Sequence, residues 1–239
     1  MAAGAKNFQI FATSLETLLQ ADPSAAVVAH TILSGYAAAA QAAEAAVWRA
    51  KLGLPAEEAG ASAWAELEPL LEESGVDFTS FWRKLADVRE AIGGGGGSGG
   101  AGAAPGGDLL ALLGPSFLDA PPSAGGALEE RWHTWLDLYA RAAGAGSGGS
   151  GGEGSARRSH REAARAMRLA SPKYVPREWM LSAAYRRAMA GDEAEVAVLH
   201  GLFAMPYGEQ PHMEARGYAG PSKPEERNLG GIAYMSCSS

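Results

Sequence analysis

The residues of this chain that could do chemistry are one cysteine, five histidines, a glycine run and a scatter of carboxylates. Cys237, in the closing stretch YMSCSS, is the single thiol among 239 residues. One cysteine excludes an internal disulfide and any cysteine-based zinc site. Only two residues follow it, so it is not a prenylation box. A thiol so placed can ionise and be oxidised by a partner within reach. His30, His133, His160, His200 and His212 never stand at a metal-ligand spacing such as i, i+4. Gly94, Gly96 and Gly99 match G-x-G-x-x-G. A phosphate-binding loop of that form needs a strand before it and a helix after it to fix its amides, and neither flanks this run. Asp77–Ser80, DFTS, is like the magnesium motif of kinases without its glycine, and Asp77 serves better as a helix cap. There is no V-A-I-K-like strand, no H-R-D-like loop and no G-x-S-x-G elbow. No carboxylate pair stands out as an acid/base couple. No catalytic, cofactor-binding or metal-binding residue is assigned, and Cys237 read by itself is a free thiol with no role fixed by its neighbours.

The elements around these residues read as helices. Asp22-Pro23 suits an N-cap followed by proline at the first helical position, and the Ala-rich run beyond it continues past Tyr36 and Trp48 to Gly53 as C-cap. Ser62 is a candidate cap for a short helix that carries Trp64, Leu67, Leu70 and Leu71 and stops at Gly75. Asp77 is expected to cap the next, with Phe78, Phe81, Trp82, Leu85, Val88 and Ile92 on one apolar face. Leu128, Trp132, Trp135, Leu136 and Tyr139 share another face. The last part predicts two helices, from about Arg177 to Ala190, ending at Gly191, and from Asp192 to about Ala204, the second with Glu195 in capping-box position. No stretch shows sustained strand alternation, so the fold class is all-α.

Composition divides the chain. Of its 32 glycines, 17 fall in Gly93–Gly107 and Gly144–Gly154, stretches with too little apolar surface to offset chain entropy, which read as disordered, flexible linkers. The expected organisation is a helical block at 1–92, a Gly-rich linker at 93–107, a helical block at 108–143, a Gly/Ser-rich linker at 144–155, a helical block at 156–206 and an irregular tail at 207–239 ending in Cys-Ser-Ser. A net charge of −7 argues against general nucleic-acid binding, and no apolar run has the length of a membrane span. Between Ser155 and Ala190, however, nine Lys/Arg stand against two Glu. That basic segment could face an acidic partner, a phosphate or the rest of the same protein, or simply be a solvated helix face. Three small helical blocks bury little per residue, which suits part of a larger domain better than a finished one.

Five stretches in order give a more specific signal. FATSLETLL, YAAAAQAAEAAVWRAKLGL, LLEESGVDFTSFWRKLADV, RWHTWLDLYARA and SPKYVPREW leading into GDEAEVAVLHGLFAMPYGEQP, with the chain closing on C-S-S, resemble the C-terminal portion of the selenoprotein O family, the YdiU-like proteins. Pro176 and Glu178 stand where that family usually has Leu and Asn, and PEERNLGG replaces a typical P-P-x-W stretch. Pro176 is still compatible with the first turn of a helix.

The resemblance implies a protein-kinase-like fold of which this chain is the helical C-terminal part. It implies an enzyme that uses ATP and magnesium to transfer AMP to Ser, Thr or Tyr hydroxyls of proteins. The catalytic and nucleotide-gripping residues of that family lie upstream of the matched region, so the chain alone is expected to be inactive. The implied partners are the upstream kinase-like half and, for the whole enzyme, protein substrates, with neither nucleic acid nor membrane. Redox regulation through Cys237, by a disulfide to the kinase-like half, and an intracellular, mitochondrial location in eukaryotes are implied in the same way. No targeting peptide is visible in the sequence. The alternative is a free-standing helical interaction module that uses the basic segment 155–190 as its contact surface.

Overall fold

A computed structural model describes residues 2–19, 23–54, 57–94, 106–145, 153–221 and 223. Its helices are α1 (Ala2–Leu19), α2 (Pro23–Leu52), α3 (Glu57–Glu73), α4 (Phe78–Gly94), α5 (Gly106–Leu113), α6 (Ala127–Ala145), α7 (Glu153–Ala170), α8 (Glu178–Met189), α9 (Ala194–Ala204) and the short α10 (Pro211–Glu214). Among the described residues there is no strand. A single bridge between Val76 and Phe117 is the nearest thing to a sheet, tying the entry to α4 to the 3-10 turn Gly114–Ser116. No helix among these residues is long and apolar enough to cross a membrane.

The chain divides into two compact units, residues 1–48 and 49–239. In the first, Phe8 of α1 stacks on Tyr36 of α2 with ring centroids 4.5 Å apart.

The second unit contains the aromatic core. Trp82 and Phe81 of α4 meet edge to face, Phe81 lies 6.1 Å from Trp132 of α6, and Trp135 stacks on Tyr139 at 5.3 Å. Large rings supply most of the buried apolar area, and their polar tips need partners. Trp132 Nε1 donates to Ser74 Oγ at 2.8 Å, Trp135 Nε1 to the Ala63 carbonyl at 2.9 Å, and the Tyr139 hydroxyl to the Leu52 carbonyl at 2.8 Å. The α6 face Trp132, Trp135, Leu136 and Tyr139 is buried as its spacing predicts, although Leu128 is only half-buried. A second cluster joins Tyr174, Met180, Ala184, Leu199, Leu202, Met213 and Tyr218, so it draws on the segment between α7 and α8, on α8, α9 and α10, and on the residues after α10.

Several local expectations hold. Gly53 ends α2 with φ of +61°, and Gly75 and Gly191 follow α3 and α8 at +59° and +83°. Others need correction. Ser62 lies inside α3, which already begins at Glu57, so it caps nothing. Phe78 is 47% exposed and stands off the buried face of α4. Pro176 precedes the helix and Arg177 is the N-cap residue of α8, so the proline is outside the first turn. Glu195 closes no capping box; it is drawn into the second cluster by other partners. The Arg-rich stretch adds α7, a helix missing from the two expected in this part of the chain.

Candidate functional site: a seam of ion pairs

The segment Ser171–Arg177 is short and extended, and its backbone must find partners outside itself. The amides of Lys173 and Tyr174 both donate to the carbonyl of Pro206, at 2.8 and 3.2 Å. The Tyr174 hydroxyl accepts from the Gln210 amide at 3.1 Å and lies 3.3 Å from its carbonyl. Gln210 in turn donates through Nε2 to the carbonyls of Leu202 and Met205, at 3.2 and 3.1 Å. PKYVPR and MPYGEQP are therefore two sides of one strap.

Charge closes that strap onto α4. Arg83 is buried, donates to the Arg168 carbonyl at 2.9 Å and pairs with Glu209. Lys173 pairs with the same Glu209 and with Glu214, the latter at 2.7 Å. Burial alone would lower the Lys173 pKa, but these two carboxylates hold it above the usual lysine value. Arg168 reaches Asp87 at 2.7 Å and Glu90 at 3.1 Å on α4. Arg177 pairs with Asp77, whose Oδ1 also accepts the Ser80 amide at 2.8 Å as the expected cap of α4. At the far end, buried Glu195 takes Arg187 at 2.9 Å, Arg216 at 2.9 Å and the Tyr218 hydroxyl. Burial and the neighbouring carboxylate push Tyr218 up to about 12, so it stays protonated and donates.

Each carboxylate in the seam is thus matched to a cation. The arrangement can lock helices together, and it leaves no unpaired acid positioned to accept a proton from a substrate. Part of the basic segment 155–190 is used in this way: of its nine Lys/Arg, Arg168, Lys173, Arg177 and Arg187 pair within the chain, and Arg161 lies 3.6 Å from Glu90. This internal use of charge could not be read from a local count of Lys and Arg.

The histidines lie apart. His30 is on α2, His133 on α6, His160 on α7, His200 on α9 and His212 on α10. Among the described residues no group of three or more His, Cys, Asp or Glu could hold a metal ion. His160 alone is buried, between α7 and α4, where Arg89 Nη1 lies 2.8 Å from its Nδ1. The same Nδ1 lies 3.3 Å from the Arg89 carbonyl. Burial first, and the Arg89 charge second, push the His160 pKa below the usual value. Gly94 ends α4, while Gly96, Gly99 and Cys237 lie outside the described residues.

The described residues therefore define a helical, ion-pair-locked segment. No family model matches the chain. It is 33% identical over 199 residues to the protein nucleotidyltransferase YdiU of Cupriavidus pinatubonensis, which covers 80% of this chain and 30% of that protein. The YdiU of Methylobacillus flagellatus is 31% identical over 188 residues, with 75% and 31% covered. That of Rhizobium etli is 29% identical over 231 residues, 95% of this chain and 39% of the relative. The chain is a homologue of the YdiU protein nucleotidyltransferases, the selenoprotein O family that its motifs resemble, and it spans about a third of their length.

Proposed function

We propose that the chain is the C-terminal helical and regulatory segment of a selenoprotein O-like protein AMP-transferase and lacks the catalytic core. The observation that carries this reading is the 33% identity over 199 residues to a protein nucleotidyltransferase of which only 30% is covered. On this reading the partner is the kinase-like half of the enzyme, and protein hydroxyls are the substrates of the whole. ATP and magnesium belong to that half. The described residues do not fit them, because they have no strand-and-helix cradle for phosphates and their seam carboxylates are occupied by arginines and lysines.

The test is AMP transfer. Incubated with labelled ATP, magnesium and a protein substrate, the chain alone should label nothing, and labelling by the chain alone would overturn the proposal. Supplying the kinase-like half should restore transfer. Cys237 is proposed as the regulatory thiol of the assembled enzyme. Mass spectrometry after mild oxidation should then find it crosslinked to that half, and a thiol that stays free throughout would argue against the role.

The free-standing module is the weaker reading, because four of the nine cations it would present are paired inside the chain.

A further inference from the structure

The helix α2 has an unusual surface. Over Pro23–Trp48 its only acidic or basic side chains are Glu44 and His30. Its polar side chains, Ser24, His30, Thr31, Ser34, Gln41 and Glu44, gather on one side, and the apolar remainder is a face that calls for a partner. It carries large exposed side chains, Val27, Val28, Ile32 and Val47, with Ile32 57% accessible. Val28 and Ile32 are one turn apart, and the exposed Gly35, Ala39 and Ala43 continue the same lane. On α1, Ile10, Phe11 and Leu18 are exposed as well, Phe11 and Leu18 two turns apart. Single exposed apolar residues need no explanation, but seven large ones within residues 10–47 mark a surface made to be covered.

No described helix has the length and hydropathy to span a bilayer. The relatives point to an occupant. In the first of them, 70% of the polypeptide lies outside the region this chain matches, given that 30% is covered. Resting on the proposed function, we infer that the α1–α2 apolar face is the seat for that remaining part of the enzyme. The seat takes a helical surface with large apolar side chains, because the Gly35–Ala39–Ala43 lane lets a neighbouring helix approach closely and receives bulky residues. Charge contributes little to this contact, so it should be insensitive to salt.

The test uses a full-length chimera in which this chain replaces the matched segment of the Cupriavidus pinatubonensis protein. Photo-generated carbene labelling is compared between the chimera and the 239-residue chain alone. Labelling at Ile10, Phe11, Leu18, Val27, Val28 and Ile32 should drop at least fivefold in the chimera, while the exposed Tyr185 and Met189 label equally in both. Equal labelling of the α1–α2 face in a soluble chimera overturns the inference. So does a face already shielded in the chain alone, whether by a second copy or by the chain itself. Against the possibility that the chimera misfolds, the chain and the remainder of the relative are also co-expressed as separate polypeptides. Co-purification that is lost with Ile32→Glu supports the seat, and failure to associate in this format as well counts against it. AMP transfer is read separately. A chimera that transfers AMP but leaves the face labelled sinks the seat alone, and one that shields the face without transfer sinks the enzymatic reading alone.

Discussion

Arg177 holds Asp77 with both terminal guanidinium nitrogens, Nη1 to Oδ2 at 2.7 Å and Nη2 to Oδ1 at 2.9 Å. One carboxylate thereby starts α4 and fixes the approach to α8, although the two residues are 100 positions apart in the chain. Burial works to raise the Asp77 pKa, and the hydrogen bonds from Arg177 and Ser80 outweigh it and hold the acid below its usual range. The stabilisation is present above the unfolded value of about 3.9 and is lost as pH falls through the lower folded value.

Asp77→Ala removes a cap and strands a mostly buried arginine at once. The expected loss is about 3–5 kcal/mol in urea unfolding. Combined with Arg177→Ala, the loss should be smaller than the sum of the two single variants. Additive losses would show that the pair is not coupled.

His160 predicts a pH effect of opposite origin. Its folded pKa lies below the unfolded one, so the unfolded chain takes up the proton first. Stability should fall as pH drops from about 6.5 toward the folded value, and level off below it. His160→Gln should flatten that part of the profile in melts run at pH 7.5, 6.5 and 5.5. An unchanged slope would show that protons bind elsewhere.

Gly93→Ala should destabilise the protein, although alanine is the better helix former by about 1 kcal/mol. A Cβ at position 93 would meet the His160 side chain, within 2.8 Å of Cγ and closer still to Cβ. Forcing the two apart should cost about 1–3 kcal/mol. A stabilised variant in thermal melts would mean that the α4–α7 seam yields easily.

Glu195 anchors the end of the described chain through Arg187, Arg216 and Tyr218. Glu195→Ala leaves two arginines without that carboxylate, and limited proteolysis should then cut between Met205 and Gly220 at least tenfold faster. Cleavage at the wild-type rate would mean that the apolar cluster holds this stretch unaided.

Much of this was legible in the sequence. The α6 face and the glycine stops at Gly53, Gly75 and Gly191 follow from spacing and backbone chemistry alone. Asp77 was readable as a cap, but its arginine was not, because nothing local links residues a hundred apart. Glu195 sits in a capping-box position, yet Arg187, Arg216 and Tyr218 compete for the same oxygens and win. Ser62 fails as a cap because α3 begins five residues earlier, and tertiary packing overrides so weak a local preference. The basic stretch hid α7 because counting charge says nothing about where the acids lie, and they are on α4 at Asp87 and Glu90.

Two glycines face α7: Gly53 takes Met167, with Cγ 2.7 Å from where a Cβ would stand, and Gly93 takes His160. The two seated side chains are seven residues apart, two turns or about 10 Å of helix. They act like two teeth in two notches, and sliding α7 by a single turn would leave both notches empty. The register of α7 is therefore written into its destination.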